Sequence, residues 1–274
     1  MPTITIGTEN SAPIELYYED HGTGRPVVLL HGYPLDAQSW EKQQRALLAA
    51  GYRVVAYDRR GFGRSGKPAV GYDCDTFAAD LRALLEALDL RDATLVGQSM
   101  GGNAVWALVE RFGTARVRDL VIVDQTPCML NHDDWPYGFY DYGASNVDTL
   151  FATGIPDPGR FPAKSKGLVR VARMLRALDI PRGGAPAFTE AELALLADHA
   201  KRDWRPAVAR VDVPVLFVAG AESEVWPSGH AAAAASLNPL AESVVIERDG
   251  HAANIEQPAA FNRILLDWLA KRTS

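Results

Sequence analysis

Cysteine is scarce in this chain, and neither sign of charge is in large excess. Only two cysteines, Cys74 and Cys128, occur in 274 residues. One such pair builds no disulfide framework, so free thiols in a reducing, cytoplasmic setting are expected. Neither lies in a Cys-x-x-Cys pair or beside a histidine at ligand spacing, which argues against a metal centre. Lysine and arginine number 28 against 34 acidic residues, a net charge of −6. No basic excess is available to neutralise phosphates, so nucleic acid is not an expected partner. No stretch of about 18 apolar residues is present, so no membrane-crossing helix is expected. Met1 to Asn10 lacks the basic and apolar segments of a secretory leader. There is no internal repeat, and the one biased tract, Ala231 to Ala235, suits a plain helix.

What is present is an alternation of two periods. Thr3 to Ile6 and Ile14 to Glu19 read as an opening strand pair. Continuous apolar runs then recur at Pro26 to Leu30, Tyr52 to Tyr57, Thr94 to Val96, Leu120 to Val123, Val213 to Val218 and Ser243 to Ile246. Unbroken apolar runs suit strands covered on both faces. Helical patterns lie between them, at Gln43 to Ala50, Thr76 to Leu88 and Phe261 to Ala270. The pattern predicts an α/β fold, a mostly parallel sheet with helices on both faces. The alternation fails after Val123. Residues 125–209 offer aromatic-rich irregular sequence, then helices at Ser165 to Leu178 and Thr189 to Lys201. Thr189 and Glu192 form a capping-box start for the second. The expected organisation is a core of residues 1–124 and 210–274 with a helical cap of 125–209 inserted after the sixth strand. Such a cap would lie over the strand C-terminal ends, where ligands bind in open α/β sheets.

Gly97-Gln98-Ser99-Met100-Gly101-Gly102 follows directly on the run Ala93 to Val96 and opens the helical stretch to Glu110. A strand entering Gly-x-Ser-x-Gly and then a helix is the nucleophile-elbow pattern. It holds a serine hydroxyl at a helix N-terminus, where developing negative charge is favoured. The motif supplies one oxyanion donor, the backbone N–H of Met100. Gly61-Phe62-Gly63-Arg64-Ser65-Gly66 fits a dinucleotide fingerprint, but Lys67-Pro68 and a turn follow where that site needs a helix.

These stretches, with His31-Gly32-Tyr33-Pro34, Asp58 to Ser65 and Gly250-His251 to Pro258, resemble the α/β-hydrolase fold. Within it they resemble the cofactor-free haloperoxidase and esterase branch. The resemblance implies an eight-stranded sheet, no cofactor, and His251 as the base that takes the Ser99 proton. It implies Tyr33 as the second oxyanion amide and a structural role for His31. His21, His132, His199 and His230 read as solvated or packing side chains. The family's usual acid, an aspartate after the strand ending at Ala219, falls on Ser223, which cannot stabilise an imidazolium as a carboxylate does. Asp124, ending the strand Leu120 to Val123, is the leading replacement, because a carboxylate there is costly without a partner. Glu224 and Glu222 stay open as alternatives.

The aromatics near the cap entrance suggest a flat-walled apolar pocket, with Trp40, Trp135, Tyr140 and Trp226 as its expected walls. Lys164, Lys166, Arg170, Arg173 and Arg176 read as a solvated helix face, with a substrate carboxylate as the other reading. The expected activity is hydrolysis of a small apolar ester or lactone through an acyl-enzyme, with peracid formation as a side reaction implied by the resemblance. Amide or carbon–carbon cleavage by the same residues is the alternative, and a small-ligand receptor on this fold the third reading. Dehalogenase and epoxide-hydrolase chemistry would resemble this only with an aspartate in place of Ser99. The expected partner is a small acyl compound, with self-association left open.

Overall fold

The computed structural model describes residues 2–161, 167–178 and 187–272. Eight strands form one sheet. They are β1 (Thr3–Glu9), β2 (Ala12–His21), β3 (Pro26–Leu30), β4 (Arg53–Tyr57), β5 (Ala93–Gln98), β6 (Val117–Val123), β7 (Val215–Gly220) and β8 (Ala241–Ile246). Their order is β1-β2-β4-β3-β5-β6-β7-β8. β2 runs antiparallel to β1 and β4, and all other neighbours are parallel.

Side chains alternate across the sheet, so each buried strand feeds two cores. Val28, Leu30, Leu95, Ile122 and Phe217 face α2 (Cys74–Ala87) and α3 (Met100–Phe112), where Phe77, Leu81 and Trp106 cover them. Val27, Leu29, Val96, Val121 and Leu216 face α1 (Glu41–Ala49) and α9 (Pro258–Ala270), where Leu47, Phe261 and Trp268 cover them. Burying one such leucine contributes roughly 1.5–3 kcal/mol. Asp73 caps α2 by accepting from the Thr76 N–H.

Between β6 and β7 lie α4 (Leu168–Leu178), α5 (Glu190–Lys201) and α6 (Arg205–Arg210). The capping box at Thr189 and Glu192 is formed. Leu195, Leu196 and Trp204 share the core cluster of α2 and α3, so the base of this segment is built into the main core. Lys164 and Lys166 lie outside the described residues, as does the expected helix start at Ser165.

The strand register fixes what sits at the sheet's C-terminal edge. Gln98 pairs with Val123, and Val123 with Val218. Hydrogen bonds then continue past the strands, from the Ser99 N–H to Val123 O at 2.9 Å and from the Asp124 N–H to Val218 O at 2.6 Å. Ser99 and Asp124 therefore leave adjacent strands at the same level.

Candidate active site

Ser99 adopts φ 52° and ψ −126°, a sparsely populated region for a side-chain-bearing residue. The packing around it explains the flanking glycines. A Cβ on Gly97 would come within 2.7 Å of the Gly101 backbone, and one on Gly101 within 2.4 Å of Leu30 O. Ser99 occupies the N-cap of α3 without using its side chain as a cap. Its hydroxyl therefore remains available to a base.

His251 Nε2 lies 2.8 Å from Ser99 Oγ, and His251 Nδ1 lies 2.7 Å from Asp124 Oδ2. The carboxylate can only accept from Nδ1–H, which leaves the Nε2 lone pair facing the serine proton. The main chain of His251 is held at both ends. Its N–H donates to Glu224 Oε2 at 2.9 Å, and its carbonyl accepts from Gln98 Nε2 at 3.1 Å.

Asp124 is fully buried and is satisfied by donors from several elements. Oδ2 also accepts from Ser223 Oγ at 2.6 Å, and Oδ1 from the Gly220 N–H at 3.0 Å. His230 Nε2 stands 3.5 Å from Oδ1. Burial would raise this carboxyl, but hydrogen bonds from His230 and His251 and electrostatic attraction to those rings pull it down to about 2.

Met100 supplies the first amide of α3, with none of the turn's acceptors before it. Tyr33 lies on the loop beyond β3. Among the described residues neither N–H meets an acceptor. His31 beneath Tyr33 is sealed. Its Nδ1–H donates to Gly32 O at 2.8 Å, and its Nε2 accepts from the Arg59 N–H at 2.9 Å. Burial, then the Arg59 charge, hold its ring well below the ordinary imidazole range, so it is neutral.

The other acid alternatives are engaged elsewhere. Glu224 grips the His251 backbone rather than its ring. Glu222 pairs with Arg170 at 2.7 Å. That pairing corrects the solvated-face reading for Arg170, while Arg173 and Arg176 are exposed as that reading expects. The Arg170 side chain is 11% exposed and bridges Glu222 and the buried Glu256, and Arg173 Nη1 donates to Glu256 O at 2.7 Å.

The expected pocket walls divide. Trp226 packs edge-on to His251 at 5.2 Å, with the rest of its indole buried against Phe139 and Tyr142 at 2% exposure. Tyr140 is half-buried, within range of the Asp124 charge, with Arg160 over its ring at 4.9 Å. Trp40 is not a wall: it is fully buried with Phe261 in the core on the α9 side. Trp135 is not one either. It is 3% exposed in the α2–α3 core, and its Nε1 donates to Thr126 Oγ1 and Cys128 O. Both are large, flat and close in sequence to site residues, which made them resemble pocket walls before their faces were known.

The contacts of three polar residues at this edge escaped the sequence reading. Ser223 stands as a donor to the acid rather than as its substitute. His230 opens the alanine helix α7 (His230–Ala235) and reaches Asp124 only through tertiary packing. Asp249 is fully buried, with neither carboxyl oxygen bonded among the described residues. Burial, then the charges of Glu256 and Asp124, push it up to about 8. No local pattern marks the last two. Among the described residues no His, Cys, Asp and Glu cluster could hold a metal, and no helix is long and apolar enough to cross a membrane.

Residues 25–258 match the family model described as alpha/beta hydrolase fold, and the chain belongs to that family. It lies in the haloperoxidase and esterase-like branch. It is 35% identical to the non-heme chloroperoxidase CPO-A1 of Kitasatospora aureofaciens, over 94% of this chain and 97% of that one. It is 30% identical to the bifunctional esterase/perhydrolase DCH of Acinetobacter calcoaceticus, over 78% and 80%. The solved bromoperoxidase from Bacillus anthracis superposes with a TM-score of 0.82 at 34% identity, covering 98% and 99%.

Proposed function

We propose that this protein is a serine hydrolase of small esters or lactones that works through an acyl-enzyme. One observation carries the reading: the unbroken hydrogen-bond run from Ser99 Oγ through the His251 ring to buried Asp124. A serine hydroxyl is a weak nucleophile until a base takes its proton. In the proposed first step Ser99 Oγ attacks the acyl carbon while His251 Nε2 takes the hydroxyl proton. The carbonyl oxygen gains charge and accepts from the Tyr33 and Met100 N–H groups. Collapse breaks the bond to the leaving oxygen, which receives the proton held on Nε2. Water then attacks the acyl-enzyme, assisted again by His251, and releases the acid and free Ser99. Asp124 holds the ring tautomer and stabilises the imidazolium.

Residues 125–209 serve in this reading as a cap over the strand ends. Support comes from the 8% exposure of Ser99 and from the bonds that α4 and α5 make to the loops around it. Its substrates are accordingly small. The names of the relatives favour one further reaction at the same site. Hydrogen peroxide in place of water would release a peracid from the acyl-enzyme, as the name of the Acinetobacter esterase/perhydrolase suggests for that protein. The test is labelling with a fluorophosphonate, together with burst release of p-nitrophenol from a short-chain ester. Label on Ser99 and a burst lost in Ser99→Ala are expected; an unlabelled protein would overturn the proposal.

A further inference from the structure

His199 takes no part in the proton transfers above, yet it is bonded to the helix that Ser99 opens. α5 reaches two residues near Ser99 in the fold. Near its start Glu192 Oε1 accepts from Tyr33 Oη at 2.9 Å, and Phe188 stacks on the Tyr33 ring at 6.0 Å. Two turns on, roughly 10 Å along the helix, His199 meets Asn103 of α3 at 2.6 Å. Asn103 is four residues beyond Ser99, one turn into α3. His199 is thus joined to the first turns of the helix that Ser99 opens, and lies close enough to His251 for the charge of that ring to act on it.

The state of the ring follows from its partner. Asn103 Nδ2 is a donor, so His199 Nδ1 must accept, and the single ring hydrogen of a neutral imidazole lies on Nε2. Burial, then the Arg59 guanidinium, push this histidine down to about 3, with Asp198 opposing and His251 adding to the fall. Arg59 is itself sandwiched between Phe62 and Phe77 at 5.0 and 4.9 Å, with no anion bonded to it among the described residues. Its charge is therefore uncompensated, and the imidazole beside it remains neutral through the working range. Nε2–H has no acceptor among the described residues. Nor is it one of the sealed, unpaired polar atoms of the interior, and a bound substrate would provide its partner.

We infer that His199 Nε2–H is a specificity donor for the substrate, selecting an acyl or lactone group with an acceptor oxygen a few bonds from the reacting carbonyl. The inference rests on Ser99 being the nucleophile. Asn103 fixes the ring, Nε2 meets the acceptor, and an all-carbon chain leaves the donor unpaired.

Two amide substitutions separate contact from packing. An asparagine amide overlays Nδ1 of the ring and keeps only the Asn103 bond. A glutamine amide overlays Nε2 and keeps the donor toward substrate. The measurement is kcat/KM for p-nitrophenyl β-methoxypropionate relative to the valerate ester, each divided by its alkaline hydrolysis rate. The wild type is expected to favour the ether by about tenfold, the worth of one such bond. His199→Gln should keep that preference, while His199→Asn and His199→Phe should lose it. The inference is overturned if the wild type shows no preference, if Phe leaves the ratio unchanged, or if Gln and Asn behave alike. Fluorophosphonate labelling of each variant keeps the two claims apart. Label on Ser99 with an unmoved ratio defeats only the His199 assignment, whereas an unlabelled wild type defeats the nucleophile.

Discussion

Ser223 Oγ donates to Asp124 Oδ2 at 2.6 Å, the same oxygen that accepts the ring of His251. In the proposed mechanism the acid is thus delivered by β6, and the loop after β7 supplies a donor that orients it. Asp124→Asn keeps the shape but offers an amide where Nδ1–H needs an acceptor, which favours the wrong ring tautomer. The expected outcome is a loss of about 10³–10⁴-fold in kcat on a p-nitrophenyl ester, with an unchanged circular dichroism spectrum. Near-normal turnover would move the acid role to Glu224. Ser223→Ala removes one donor and leaves the carboxylate three, so its loss should be about tenfold or less. The sign with pH is also fixed. The folded carboxyl lies at about 2, below the usual value of ~3.9. Its contribution to stability is complete above pH ~4 and is lost as pH falls through about 2.

Asp249 has the opposite sign. Its folded carboxyl lies at about 8, far above ~3.9 in the unfolded chain. The native state therefore holds a proton that the unfolded state has released. The stability it contributes is full below pH ~4 and is lost as pH rises through about 8. Asp249→Asn replaces a neutral carboxyl by a neutral amide of the same shape. Urea unfolding should find wild type and variant nearly equal at pH 4, with the variant ahead by a few kcal/mol at pH 8. Parallel pH profiles would mean that the carboxyl is ionised in the fold and has a partner.

Arg170 ties α4 to Glu222 beyond β7 and to Glu256 in α8 (Ala253–Glu256), just past His251. Glu256 is 1% exposed, so losing the guanidinium removes a charged partner from a buried carboxylate. Arg170→Met is expected to cost about 3–5 kcal/mol and to open α4 to limited proteolysis ahead of the core. The double variant Arg170→Met/Glu256→Gln should recover part of that loss, because the buried carboxylate is removed together with its cation. Equal proteolysis of wild type and Arg170→Met would show that α4 is held by Met174 and Ala177 packing on Leu35, Ala252 and Ile255 instead.

Much of this edge was legible in the chain because its geometry is local. The Gly97–Gly101 elbow, the apolar runs of β3 to β7 and the Thr189 capping box each depend on neighbours within a few residues. The Asp124 carboxylate could be singled out because a charge ending a buried strand demands a partner. What could not be read are contacts between residues distant in sequence. His230 lies 106 residues from Asp124, and Asn103 lies 96 from His199. The Trp40 and Trp135 assignments failed for a related reason. An indole buries as well in a core as in a pocket, and only the packed sheet decides which.

The elbow itself offers a sharp structural test. Gly101 has no room for a side chain: an added Cβ would lie 2.4 Å from Leu30 O and 2.8 Å from His31 O. Both are backbone atoms, and the Leu30 position is locked by pairing with Gly97 and Tyr57. The neighbours cannot rotate away, so the strand or the helix must shift. Gly101→Ala should therefore cost at least about 2 kcal/mol and lower kcat by moving the Met100 amide. Gly7 is the control. Nothing lies within 4 Å of its added Cβ, and Gly7→Ala should be neutral or stabilising by about 0.4–1 kcal/mol. Chemical melts of the two variants decide the matter. A Gly101→Ala protein as stable as Gly7→Ala would mean that β3 and α3 do not approach as closely as the elbow requires.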